Sequence, residues 1–375
     1  MAIGNIFARS PFIVEIDEAS QIATKIELFI WNEDANNDVG IPPSPTYTLS
    51  KVIPSSNVTS TTYNISPYIR EYLSFNNIET AYQDYDVNRN NFCRVTFKRY
   101  KDIGAGYVLI DTLNYYGFDG YGYYSEGTNP DETTNVLYDE GTYYYNYDST
   151  VNLTTDFNLV PQTICIAKEE TETYRADYTD LVTGATSSQA YSDYVPGFGF
   201  LYTLPRQWRA VQDAYYANGN KVEFYDAAVG GTLLKTMYFK PLEKCKHEPI
   251  KIDFVNKYGM WDRTWFYKAS YESINVTSKD FNSLQSSITS YNTIQGQRSE
   301  FNINGKSTIK VNSGWVDEDY KEVIKQIMLS QKILVNDFPA KCTTKSMQLE
   351  KSINNKTINY QLDFEYNHDV INNVI

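Results

Sequence analysis

The chain has 375 residues, 34 of them tyrosine, and its 46 carboxylates outnumber 33 lysines and arginines to leave a formal net charge of −13. That length exceeds what one hydrophobic core usually serves, so two or three packed units are expected. The charge disfavours nucleic acid and anionic membrane surfaces as main partners, and no uncharged apolar segment approaches the ~20 residues that span a bilayer, so no membrane insertion is expected.

Met1 to Pro11 lacks the basic region, apolar stretch and cleavage site of a secretory signal, which points to synthesis and folding in a cytoplasm. Cys93, Cys165, Cys245 and Cys342 are too dispersed for a disulfide framework and are expected as reduced, mostly buried thiols. The richness in Tyr, Thr, Asn and Ser, with short apolar runs and frequent turn residues, predicts a mainly β chain.

In chain order, Phe12 to Ile16 reads as a strand, and Ile26, Leu28 and Ile30 alternate with Glu27, Phe29 and Trp31 as a half-buried one does. Asn32 to Pro45, with Asn, Asp, Gly and Pro, must be a loop. Tyr47 to Leu49 and Tyr63 to Ile65 are further strands. Ser66-Pro67 opens a short helix with Ser66 as N-cap and Ile69, Tyr72 and Leu73 on one face. Cys93, Val95 and Phe97 then return the chain to a sheet.

From Asp102 to Ala167 there is no lysine or arginine, while acids such as Asp111, Asp119, Glu126 and Glu132 are interspersed with tyrosines. Hairpins turning at Gly117, Gly120, Gly122 and Gly127 are expected here. Tyrosine rings give rigid contact area at low entropic cost. The stretch therefore reads as a contact surface, with Tyr115, Tyr116, Tyr121, Tyr123, Tyr124, Tyr143, Tyr144 and Tyr145 as interface candidates. The last three are consecutive, so on a strand they point to both faces.

Alternation resumes after Ile164, through Val222, Phe224, Leu233 to Phe239, Ile252 and Phe254. Near 317–330, Tyr320, Val323, Ile324, Ile327 and Met328 have helical spacing, and acids in the first turn suit the helix dipole. Ile358 to Tyr366 alternates strictly, and a similar pattern beginning at Met347 would pair with it across a turn at Asn354-Asn355. The expected architecture is two β-sandwich-like units, an N-terminal one over 1–100 and a C-terminal one over 201–375 carrying the helix and a terminal hairpin. An acidic Tyr-rich β insert occupies 101–200 between them.

Site chemistry is sparse. The two histidines, His247 and His368, have no serine or cysteine motif beside them and read as structural. Cys245-Lys246-His247 lacks the second ligand pair of a structural zinc site. Asp34 to Gly40 resembles the start of a calcium loop, but its glycine comes one residue late and Pro45 stands where a bidentate glutamate belongs. Asp84, Asp86, Asn88 and Asn90 alternate without any glycine, as a solvated edge does. No metal, cofactor or catalytic residue is expected, although a glycosidase needs only two suitably spaced acids and aromatic rings.

Arg9-Ser10-Pro11-Phe12, Lys25 to Asn32, Tyr47 to Lys51 and Ile65 to Ile69 resemble the N-terminus of virion structural proteins of tailed bacteriophages, especially those infecting Bacteroidota. Phe254-Val255-Asn256-Lys257-Tyr258-Gly259-Met260-Trp261-Asp262, followed by Trp265-Phe266, is similar to a second block of that family, and the helix at 317–330 with Ile358 to Tyr366 to a third. The same glycine block also reads simply as a strand, a tight turn and a buried tryptophan. The resemblance implies a non-enzymatic tail, baseplate or neck protein, made in the bacterial host cytoplasm and assembled into the virion as a homo-oligomeric ring that docks other virion proteins. The alternative is a host-glycan binding or cleaving protein using the Tyr/Asp-rich region.

Overall fold

The structure is a computed structural model that describes residues 4–31, 40–53, 59–73, 92–130, 132, 142–148, 163–166, 173–192, 206–209, 216–227, 229–242, 248–284, 287, 289–290, 293–294, 296–316, 318–347 and 358–372. The chain is mainly β and divides into two compact units, 1–243 with 255–263, and 244–254 with 264–375.

The first unit opens with a five-stranded sheet. It is built from β1 (Gly4–Phe7), β3 (Ala23–Trp31), β4 (Tyr47–Val52), β6 (Phe92–Asp102) and β7 (Tyr107–Phe118), in the order β1-β7-β6-β3-β4. A smaller antiparallel pair, β2 (Ile13–Asp17) with β5 (Ser60–Asn64), shares its core through Val14, Ile16, Tyr63, Ile26, Leu28, Val95 and Phe97, a sandwich-like arrangement. The alternation of β3 is what aims Ile26, Leu28 and Ile30 at that core. Thr24, buried on the same strand, is satisfied by Thr61 Oγ1 and Tyr63 Oη, each at 2.7 Å. These bonds offset the cost of burying a polar residue in the core.

The boundary expected at residue 100 falls within β6. Its hairpin partner β7 comes from the acidic Tyr-rich stretch, so the start of that stretch belongs to the first sheet. The short helix α1 (Ser66–Tyr72) is where expected, with Ile69 fully buried, but Ser66 is its first residue and not its cap. Ile65 takes the cap position, while the Ser66 hydroxyl accepts from the Phe12 amide (2.7 Å) and donates to the Ser10 carbonyl (2.6 Å). A tertiary bond has displaced the local capping bond that the sequence pattern predicts.

A second five-stranded sheet follows. It consists of β8 (Thr142–Asp148), β10 (Thr173–Asp180), β11 (Thr186–Ser192), β13 (Asn220–Tyr225) and β14 (Leu233–Leu242), in the order β11-β10-β13-β14-β8. Val222, Phe224, Met237 and Phe239 are buried on it, matching the alternation of these segments. A separate two-stranded sheet pairs β9 (Thr163–Ile166) with β12 (Arg206–Arg209).

The glycine block forms the turn its residues suggest. Asn256 N–H donates to the Met260 carbonyl (2.8 Å), the Asn256 side chain accepts from Tyr258 and Met260 amides (3.0 Å each), and Gly259 has φ +81°. Trp261 beyond it is buried.

A seven-stranded sheet follows, most of its residues in the second unit. Its strands are β15 (Ile250–Val255), β16 (Trp261–Phe266), β17 (Tyr271–Asn282), β18 (Arg298–Val316), β19 (Ile333–Val335), β20 (Phe338–Cys342) and β21 (Ile358–Asp369), in the order β16-β15-β19-β20-β21-β18-β17. The expected helix is present as a 3₁₀ turn, Glu318–Tyr320, leading into α2 (Lys321–Leu329), with Tyr320, Val323, Ile324 and Ile327 buried. Strand β21 buries Ile358, Tyr360, Leu362 and Phe364 as its alternation requires. Its neighbours, however, are β18 and β20, and Met347 lies outside any strand. Among the described residues β21 therefore forms its C-terminal pairing with β20. The turn Asn354-Asn355 lies outside the described residues.

Cys93 and Cys342 are free thiols. Cys93 is fully buried, and burial pushes its thiol pKa well up. Since the thiolate is the reactive form, iodoacetamide at neutral pH should leave Cys93 unmodified in the native chain and label it after unfolding, as peptide mass mapping would read. Rapid native labelling would mean that the β6–β7 layer opens readily.

Candidate functional site

The structure spends much of the expected tyrosine surface inside the first unit. Tyr115 and Tyr116 are consecutive on β7 and so face opposite ways, but both faces are covered. Tyr115 stacks on Phe97 (ring centroids 5.3 Å apart, 9° between planes), meets Phe12 edge-on and donates to Glu132 Oε1 at 2.7 Å. Tyr116 is 1% exposed, packed against Phe92, with the Arg94 guanidinium 4.5 Å over its ring. Tyr121 is buried under Arg9 at 4.7 Å, and Tyr123 stands 5.8 Å from it with the Lys257 ammonium 5.1 Å from its own ring.

Tyr116 and Tyr121 are therefore buried in the first unit and not presented as an interface, while Tyr115 is partly buried against its core. Only Tyr124 of the described side chains in this set is fully exposed. Tyr143, Tyr144 and Tyr145 pair through their backbones with Met237, Tyr238 and Phe239, and their side chains lie outside the description.

Several described acids of the stretch are likewise engaged within the chain. Asp111 pairs with Arg99 (Nε to Oδ1 2.8 Å) and Asp119 with Arg70 (3.4 Å), while Glu126 meets Lys257 and accepts from the Tyr123 amide. Asp102 turns back to the amides of Gly104 and Gly106. Three acids of a locally uncompensated charge run are thus ion-paired, because neighbouring strands and turns supply the cations. Arg70, Arg99 and Lys257 all lie outside 102–167 in sequence, so the run itself carried no sign of them.

The second unit holds a groove and an open sheet edge. A groove of about 540 Å³ is lined by Glu272, Ser273, Ile274, Ser307, Thr308, Phe338, Tyr366 and His368. The ring of His368 lies 5.5 Å from Tyr366 and 6.1 Å from Phe338, so the histidine is a member of an aromatic cluster. Burial, with the charge of Glu272 added, raises the pKa of the Tyr366 phenol. The hydroxyls of Ser273 and Thr308 hydrogen-bond each other at 2.7 Å.

Beside this groove runs the most exposed strand among the described residues. All 12 residues of β17 are exposed, and it is the terminal strand of its sheet. Its partner β18 pairs with β21 only from Lys306 onward, so Arg298 to Asn304 and the matching part of β17 form a two-stranded arm. Phe281 and Phe301 give that arm apolar side chains in water, and Ile274 (60% exposed) and Val276 (64%) stand exposed on the stretch of β17 just before it. No sequence expectation attached to it. The one available signal was Ile274 and Val276 at a spacing of two, within an otherwise polar segment.

Among the described residues no group of three His, Cys, Asp or Glu side chains is placed to hold a metal ion. Asp34, Asp84, Asp86, Asn88, Asn90, Cys245 and His247 lie outside the described residues. No helix among them is long and apolar enough to cross a membrane. Set against protein-family models and curated proteins, the sequence matches no family model and no curated protein.

Proposed function

We propose that this chain is a structural component of a tailed-phage virion, in the tail, baseplate or neck, acting by self-association and by docking neighbouring virion proteins. The observation that carries the reading is the exposed arm of β17 and β18. Two strands alone are marginally stable in water, and an uncovered edge strand is a template for pairing that soluble monomers usually blunt. An arm of this kind gains its stability by meeting another chain. The resemblance of the Arg9–Phe12, Lys25–Asn32 and Phe254–Asp262 segments to phage virion proteins supports the same reading. Such a part acts without catalysis. A ring follows if the interface between copies is heterologous and its rotation closes. Mass spectrometry of purified virions from the phage that encodes it should detect the polypeptide in stoichiometric amount, and its absence from them would reject the proposal.

A second reading, a host-glycan binding or cleaving protein, is favoured by one observation, the groove at Phe338, Tyr366 and His368. Rings with adjacent hydroxyls and a carboxylate suit sugar stacking. This moves the glycan candidate from the Tyr/Asp-rich stretch to the second unit. Binding on a glycan array that Tyr366→Ala abolishes, or release of reducing sugar, would favour it over a purely structural part, which should give neither signal.

A further inference from the structure

The centre of β17 carries a pattern that specifies its own partner. From Ser273 to Ser278 the strand has no charge and no proline, and it contains Ile274, Val276 and Thr277, β-formers on an exposed edge. Its charged residues, Glu272, Lys279 and Asp280, stand at the two flanks. The irregularity in the hairpin is absorbed by the other strand. Between the pairs Thr277–Asn304 and Lys279–Phe301, β17 contributes only Ser278, while β18 contributes Asn302, at φ 51°, and Ile303. The extra residue bends β18, and β17 keeps an unbroken alternation along its open edge.

We infer that β17 is the contact strand of a two-fold homodimer, pairing antiparallel with β17 of a second copy in a register centred on Asn275. A two-fold axis normal to the sheet requires each residue to face one of the same alternation class, so only registers centred on a residue are possible. Centring on Asn275 sets Ile274 opposite the second copy's Val276 twice over, Ser273 opposite Thr277, and Tyr271 opposite Lys279, where the ammonium can lie on the ring.

The neighbouring registers are worse. Centring on Val276 opposes Glu272 to Asp280, centring on Thr277 sets Asp280 against Ile274, and centring on Ile274 sets Glu272 against Val276. Like charges, or a charge against an aliphatic side chain, destabilise a cross-strand pair. A single favourable register is what makes a second copy the specific occupant of this edge. The pairing would extend the seven-stranded sheet continuously across the dimer and cover Ile274 and Val276. It concerns the purified chain alone and stands apart from membership of a virion.

Size-exclusion chromatography with light scattering on the full chain tests it. The parent should run at about twice 43.2 kDa. Ile274→Lys should give a monomer with unchanged circular dichroism, since the residue is 60% exposed and contributes little to the fold. Adding Val276→Glu to that variant should restore the dimer, because each introduced lysine then faces an introduced glutamate. Asn275→Cys, which faces its own copy, should form a disulfide-linked dimer on oxidation that the parent does not form. A monomeric parent, a dimer indifferent to Ile274→Lys, a double variant that stays monomeric, or a dimer in which Asn275→Cys does not cross-link would each overturn the inference.

Discussion

Ile324→Ala is expected to destabilise the second unit by about 2–5 kcal/mol, the range for truncating a buried aliphatic side chain when the site collapses only partly. Ile324 is fully buried at the centre of the α2 stripe, between Tyr320 and Val323 on one side and Ile327 on the other. Lys321 on the same helix is partly exposed, and its ion pair with Glu318 (3.1 Å) lies at the surface, where such pairs contribute about 0–1 kcal/mol. Lys321→Ala should therefore change little. Denaturant unfolding followed by tryptophan fluorescence distinguishes the two, and parent-like stability within about 0.5 kcal/mol for both variants would show that the stripe faces no core.

Gly259→Ala should have a comparable effect in the first unit for a different reason. At φ +81° an added Cβ is strained in itself, which costs about 1–2 kcal/mol. That Cβ would also lie 2.8 Å from the Gly120 nitrogen and 2.9 Å from backbone atoms of Asp119, none of which can rotate away as a side chain could. Overpacking of this kind adds about 1–3 kcal/mol. Gly230→Ala supplies the control, because its φ of +70° is similar but nothing lies within 4 Å of the added atom. It should show the conformational part alone. Equal losses of stability for the two alanines would mean that the Asp119–Gly120 and Gly259 backbones do not approach as closely as the structure places them.

The elements legible in the sequence are those set by short-range periodicity. Ile26, Leu28 and Ile30, then Val222 and Phe224, then Ile358 to Phe364 all alternate into cores, and the helical spacing of Tyr320 to Ile327 became a helix with that face buried. Gly259 was legible too, because a turn of this tightness needs positive φ. Properties created by pairing between distant segments were not legible. The Ser66 hydroxyl looked like a cap because its competing partner at Ser10 is far away in sequence. Tyr115 and Tyr116 looked like free surface because Phe97, Phe92 and Arg94, which cover them, sit on the adjacent strand β6.

The same limit applies to the open edge. Ile274 and Val276 alternate as the residues of any half-buried strand would, and their exposure follows from β17 being last in its sheet. A strand's position in the order is a property of the topology and leaves no mark on its own residues. The cations that meet part of the acidic run were likewise not legible. The acidic run shows no cation of its own in sequence, and the fold brings Arg70, Arg99 and Lys257 to Asp119, Asp111 and Glu126.

The open edge of β17 is the place where we propose that chains join. Backbone hydrogen exchange over 271–282, followed by mass spectrometry on the purified chain at low and high protein concentration, addresses it most directly. Amides on a free edge exchange from an exposed state, whereas those in a ladder exchange only after opening. Protection across this segment should rise with concentration while that of β3 and β6 stays constant. Exchange over 271–282 that is fast and independent of concentration would contradict the account.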